Sequence, residues 1–367
     1  MPQRRGGAPA EGGSGEESVV EEEIGVEVGV ERGAEDGRGA EDGRGAEDGR
    51  GAEDGRGVEV EREVGVEGGA GAEGSAPPRP PRGDGLPITA LYTAGVWAWA
   101  GVEGAELFFD QHSLSVRRAV NGALAIARLF RPRLPRVPEG LAQRRAAIDR
   151  LMEQAEWGAA LELAAGLSPR ASVARRRWPQ RPYLEIDLPP LLQYKRALLA
   201  QRRPELLQDT RLQLIDGRVG RLPLAPLCEG LPGPLLVIAE GLLMYLKEDD
   251  QRALFEEVSA LLARHGGVFL FDLVPAPEQP PPGLIGRLLG AMMRRFTGGE
   301  SFTVDERGRG AILEELLAAG FSEARCGEPA ELLRADQLPF PEAATQQLIF
   351  SARRAPTDPA GGAQGEG

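Results

Sequence analysis

Four carboxylates in this 367-residue chain stand where apolar runs give out: Glu162 in GAALELA, Asp187 in PYLEIDL, Asp216 in RLQLIDG and Glu240 in PLLVIAEG. Acids at such places bind what apolar walls cannot: ribose hydroxyls, an exocyclic amine, an ammonium or another cationic centre. Asp187 follows Glu162 by 25 residues. It reads either as a bidentate acceptor for ribose hydroxyls or as a cap for the helix beginning at the Leu-Pro-Pro turn. Asp216 stands where an adenine amine would find an acceptor. Glu240, directly after PLLVIA, sits at the solvent edge of its strand and is open to the same kind of role. The intervening loop, ELAAGLS, holds one glycine, Gly166. It is either a cofactor turn, in which small residues let backbone approach a ligand, or an ordinary strand-to-helix turn.

Other chemistries find less support. No loop offers the Lys-Ser/Thr pair of a phosphate-binding loop, which disfavours a nucleoside triphosphate. The two histidines, His112 and His265, read as surface or helix-end residues, and Cys228 and Cys326 give neither a disulfide framework nor a metal site.

The elements that must position these acids alternate. Strand-like runs at 158–164, 182–188, 211–217, 234–241 and 266–274 are separated by helical stretches such as LLQYKRALLAQ and EDDQRALFEEVSALLARH. After the helix DERGRGAILEELLAAG, FSEARCG and TQQLIFSARR supply two last strands. Apolar strands alternating with helices predict an α/β fold with a mostly parallel, Rossmann-like sheet of seven strands covered on both faces. Ligands in such sheets bind beyond the carboxyl ends of the strands. A helical cap over 85–157 precedes the core at 158–358. Within that cap, Trp97 and Trp99 read as core residues or as part of a lid. A lid insert rich in Pro, Met and Arg is expected at about 275–303.

The first 84 residues differ from all this. They contain no aromatic residue, repeat GAEDGR four times from Gly33 to Arg56, and carry 22 acidic against 10 basic side chains. Such a segment lacks the apolar surface to offset its ordering entropy and is expected to be disordered, as are residues 359–367. The tail carries −12 of the net charge of −13. The folded part is nearly neutral, and the acidic tail opposes non-specific nucleic-acid binding. No signal peptide and no apolar stretch of membrane-spanning length is visible, so a cytoplasmic location is expected. The sequence does not set an oligomeric state.

ALELAAGLSPR, YLEIDLP followed by Lys195, RRAAID at 144–149 and above all EGLLMYL at 240–246 resemble the leucine carboxyl methyltransferase family, in particular its bacterial branch of polyketide-type O-methyltransferases. The resemblance runs from about Pro87 to Arg354. It implies a seven-stranded class I fold and an S-adenosylmethionine-dependent O-methyltransferase acting on a small-molecule carboxylate or hydroxyl, polyketide-like in class. By the same resemblance Arg144, with Arg145 as its rival, would meet the methionine carboxylate. Glu162 and the backbone around Ala164 and Gly166 would form the methionine and ribose wall. Asp187 would hold the ribose, Asp216 and Gly217 would lie near the adenine, Glu240 would sit beside the methionine amine, and Tyr245 would face the acceptor. No metal is implied. The chain departs from the family pattern at Ala164, where many relatives carry glycine, and at Gly217, where a bulkier apolar residue is usual.

Two rivals stand beside this reading. A dinucleotide-dependent oxidoreductase would explain the loop and Asp187, but it should show a fuller GxGxxG. A binding module without catalysis would keep the pocket without turnover.

Overall fold

The computed structural model describes residues 88–130, 136–275, 305–343, 345 and 347–357. The acidic tail, nearly all of the insert expected at 275–303 and the C-terminal end at 359–367 lie outside the described residues. Among the described residues seven short runs, apolar in the centre of the sheet, form the strands: β1 Ala159–Leu163, β2 Tyr183–Asp187, β3 Leu212–Asp216, β4 Leu235–Ala239, β5 Gly267–Leu273, β6 Glu323–Gly327 and β7 Leu348–Arg354. They make one sheet in the order β3-β2-β1-β4-β5-β7-β6. β1 to β5 are parallel, and β7 runs antiparallel between β5 and β6. This is the mostly parallel, Rossmann-like sheet of seven strands that the alternation of runs predicts.

The burial follows from the topology. β1, β2 and β4 are buried at every position, as central strands covered on both faces must be. Their alternation assigns side chains to faces. Leu161 and Leu163 of β1 join Val237 and Ala239 of β4 in one core layer, with Phe255, Phe269, Phe271 and Phe350 packed ring against ring. Ala160, Tyr183, Leu236 and Ile238 face the opposite layer. Glu162 and Glu185 point the same way as Ala160 and Tyr183, towards helices rather than solvent, although both are charged residues in buried strands.

Among the described residues, three α-helices lie ahead of β1: α1 Ile88–Trp99, α2 Gln111–Phe130 and α3 Val137–Gln154. Ala147, Ile148 and Met152 of α3 pack on the layer containing Ala160 and Tyr183. Trp97 of α1 is buried and lies under the guanidinium of Arg145, 5.1 Å from ring centroid to Cζ, while Trp99 stacks on Phe340. Trp97 is thus a core residue, and Trp99, half-buried, packs against the cluster of Tyr92, Val96 and Leu141. After β1 come α4 Arg170–Arg177, α5 Pro189–Arg202 and α6 Pro204–Gln208, then α7 Glu248–His265, α8 Arg309–Ala318 and α9 Pro329–Leu332. Among the described residues no helix is long and apolar enough to cross a membrane.

The chain switches direction across the sheet between β1 and β4. Helices leave these strands towards opposite sides, which opens a crevice at their carboxyl ends. Glu162, Asp187, Asp216 and Glu240 all stand at this end.

Candidate functional site

The loop leaving β1 is held in an unusual backbone conformation. Ala164 has φ +52° and Gly166 φ +56°. An added Cβ at Gly166 would meet only the Ala90 side chain at 3.9 Å, so glycine is needed there for its dihedral and not for space. A Gly166→Ala variant is therefore expected to lose roughly 1–2 kcal/mol, the cost of a left-handed L-residue, read as a lowered midpoint of thermal unfolding. Ala164 already bears that cost. It stands where many members of the resembled family carry glycine.

Asp187 fixes this turn. Its Oδ2 accepts the Gly166 N–H at 2.6 Å and its Oδ1 accepts its neighbour Leu188 N–H at 2.6 Å, while its own carbonyl accepts the Gly217 N–H at 2.9 Å. The carboxylate thus binds the loop after β1 as well as the start of its own turn. Each oxygen keeps a second lone pair. Burial raises the Asp187 pKa, and the two N–H donors oppose that rise.

Beside the loop lies a buried ion network. Arg144 of α3 donates from Nε to Glu240 Oε1 at 3.1 Å and from a terminal nitrogen to Asp272 Oδ2 at 3.2 Å. Arg145 donates to Asp149 at 2.7 Å and to Ser168 Oγ at 2.9 Å. Arg170, the first residue of α4, donates to Asp149 at 2.7 Å, to Glu240 Oε2 at 2.6 Å and to Glu162 Oε1. The other oxygen of Glu162 accepts the Tyr183 hydroxyl at 2.7 Å. Burial alone would raise the Glu240 carboxyl, but Arg144, Arg170 and Arg145 outweigh it and hold it down at about 2. For Asp272 burial wins and its pKa is raised, even with Arg144 and the Gly241 N–H, 2.6 Å away, stabilising its charge. Gly241, at φ +70°, lets the chain pass the Arg144 guanidinium, because a Cβ there would lie 3.3 Å from it.

A second buried pair flanks the first. Lys195 of α5 meets Glu185 Oε2 at 2.6 Å and donates to the Ser168 carbonyl at 2.9 Å. Together, four cations (Arg144, Arg145, Arg170 and Lys195) face six carboxylates (Asp149, Glu162, Glu185, Asp187, Glu240 and Asp272).

The structure therefore brings Arg144, Arg145, Glu162, Ala164, Gly166, Asp187 and Glu240 into one cluster. Asp216 shares the register of Asp187 but is half-exposed and paired with Arg196 at 2.9 Å, away from the network. A Cβ at Gly217 would lie 2.6 Å from Leu222, whose side chain fills the space a larger residue would take. Tyr245, partly exposed in the turn after Glu240, is close enough to Arg144 to strengthen its hold on its proton.

Arg170 and Asp272 were not among the candidates from sequence. Both had a signal. Asp272 is a lone acid in the apolar run GGVFLFDLV, and a carboxylate in a buried strand needs a partner. Arg170 closes ALELAAGLSPR, within one helical start of Glu162.

Residues 103–259 match the family model described as leucine carboxyl methyltransferase. A protein from Mycobacterium sp. (strain KMS) named "Putative S-adenosyl-L-methionine-dependent methyltransferase" is 36% identical over 121 residues, 32% of this chain and 39% of that protein. One of the same name from Mycobacterium ulcerans (strain Agy99) is 33% identical over 147 residues, 38% of this chain and 47% of its own length. The chain thus spans less than half the length of these curated relatives. Among solved structures, an O-methyltransferase family protein from Burkholderia thailandensis aligns with a TM-score of 0.40 and 13% identity, covering 74% of this chain and 73% of that one. Human N-acetylserotonin methyltransferase in complex with SAM aligns with a TM-score of 0.39 and 14% identity, covering 73% and 65%. The family recognised from ALELAAGLSPR, YLEIDLP and EGLLMYL is the one whose model matches residues 103–259, the leucine carboxyl methyltransferases.

Proposed function

We propose that this protein is an S-adenosylmethionine-dependent O-methyltransferase whose acceptor is a small-molecule carboxylate, polyketide-like in class. The observation that carries the reading is the excess of carboxylates over cations around a left-handed turn at the β1/β4 crevice. A cofactor with an ammonium, a sulfonium and a carboxylate is net positive and fits such a donor set. When bound, it supplies a methyl group on a cationic sulfur.

The chain's own residues bind and orient. Asp187 retains one lone pair on each oxygen for ribose hydroxyls. Glu240, ionised down to about 2, offsets the charge of an amine, and Arg144 carries the fork geometry that suits a carboxylate. The backbone from Ala164 to Gly166 would line the methionine and ribose. Glu162, locked by Arg170 and Tyr183, would act as a wall through its charge, and Asp216 and Gly217 would border the adenine.

Methyl transfer needs no acid for its neutral leaving group, so alignment and exclusion of water carry the catalysis. Glu240 at about 2 is too weak a base to take a proton from a hydroxyl. That favours an acceptor already ionised, with Tyr245 facing it.

Calorimetric titration of the full chain with S-adenosylmethionine and S-adenosylhomocysteine, with NAD as control, tests the reading. Saturable binding of the methyl cofactors alone is expected, weakened about ten-fold or more in Asp187→Ala, as for loss of a charged hydrogen-bond acceptor. A folded protein that binds neither methyl cofactor overturns it. Binding without turnover on any carboxylate pool would make the chain a binding module.

A further inference from the structure

Lys195 is a buried cation beside the turn that takes no part in the arginine network. It is 1% exposed and reaches from α5 across the end of β2, with its ammonium 4.9 Å from the Phe108 ring centroid. Its surroundings look at first like a plain ion pair, since Glu185, fully buried, lies 2.6 Å away. Lys195 also donates to the Ser168 carbonyl, at 2.9 Å. The ammonium thus has two partners, Glu185 as its counter-charge and the loop carbonyl as the contact that reaches the turn.

The same loop is held from every other side by charged groups. Gly166 N–H is bound by Asp187, Ser168 Oγ by Arg145 and by the Arg170 N–H, and Arg170 by Glu162 and Glu240. Ser168 N–H returns to the Ala165 carbonyl at 3.0 Å, which closes the turn on itself. The left-handed conformation of Ala164 is costly unless the ends of the segment are fixed. Asp187 fixes one end. Only Lys195 holds the backbone carbonyl at the other end among the side-chain contacts described for this loop.

We propose that Lys195 is a positioning residue of the methyl-donor site: through the Ser168 carbonyl it sets the turn that presents the 164–166 backbone to the cofactor, while Glu185 keeps its charge balanced in the core. This rests on the functional reading above, and the test separates the two.

The test uses the full chain and three proteins: wild type, Glu185→Gln, and the double variant Glu185→Gln with Lys195→Met. The double variant removes both buried charges together, so it leaves no uncompensated ion in the core. Peptide-level hydrogen exchange over 164–170 is read without any ligand, and S-adenosylhomocysteine affinity is read by calorimetry. The double variant is expected to unfold near the wild-type temperature, yet exchange 164–170 faster and bind the probe about ten-fold or more weakly, as for loss of a charge-assisted hydrogen bond. Glu185→Gln, in which the donor to Ser168 is intact, is expected to keep wild-type exchange in this segment. A double variant with wild-type exchange and affinity overturns the proposal and leaves Lys195 as the counter-ion of Glu185. If the double variant does not fold, Glu185→Gln decides: fast exchange of 164–170 there overturns it, because the anchor would then be Glu185. If wild type does not bind the probe, the functional reading falls, and the exchange difference alone still decides the role of Lys195 in the loop.

Discussion

An Arg170→Met variant is expected to lose about 3–5 kcal/mol of folding stability, the range for breaking a buried ion pair by removing one partner. The side chain is 2% exposed and bridges Glu162, Glu240 and Asp149 at once. Methionine fills a similar volume, so the loss would come from charge and not from a cavity. Glu162 would keep only the Tyr183 hydroxyl, deep in β1. For a fold of this size the unfolding midpoint should fall by roughly 10 °C. Adding Glu162→Gln removes the stranded charge, and the double variant should recover much of the loss. A thermal-unfolding cycle over the four proteins checks this. If Arg170→Met and the double variant are equally unstable, Arg170 acts by packing, and the electrostatic account fails.

The second large effect is a stability that falls on both sides of mildly acid pH. Glu240 is held at about 2 in the fold against an ordinary 4.5. The folded protein therefore binds this proton more weakly than the unfolded chain does. Its contribution is fully present above about 4.5 and is lost as pH falls towards 2, by about 3 kcal/mol at one pKa unit per 1.36 kcal/mol. Glu185 has the opposite sign. Burial, opposed by Lys195, raises it to about 7. The folded protein binds that proton more tightly, so its contribution is present below about 4.5 and is lost as pH rises through 7. Burial raises Asp187 and Asp272 in the same sense. Unfolding midpoints measured from pH 3 to 9 should peak near 4.5–5. Glu185→Gln should flatten the upper limb and leave the acid limb in place. An upper limb unchanged in that variant would show that Glu185 ionises normally beside Lys195.

Much of the fold could be read in advance, because seven apolar runs of strand length alternate with helical ones and that pattern admits few sheets. The acids at strand ends were legible for the same reason: position along a strand decides which end of the sheet a residue reaches. What could not be read was pairing. Nothing in the spacing of Arg144, Arg145 and Arg170 says that one carboxylate, Glu240, sits between all three, since that depends on how α3 and α4 pack over β1 and β4. Asp216 shows the converse. Its place at the end of β3 was evident, but Arg196, two turns into α5, pairs with it. Asp187 had two sequence readings, ribose acceptor and helix cap; the contact that the structure adds, to Gly166 N–H, comes from a neighbouring strand's loop and leaves no trace in local sequence.

Glu162 and Glu185 are register partners on adjacent central strands. Each is neutralised by a cation from a different helix, Arg170 of α4 for one and Lys195 of α5 for the other. Strands β1 and β2 therefore cannot rest in a dry, half-built sheet, because pairing them alone would set two uncompensated carboxylates side by side. Assembly of this half of the sheet is tied to the docking of both helices. The charges that shape the pocket thus also make its formation all-or-none, so the crevice is not assembled until the layer of helices that closes it has docked.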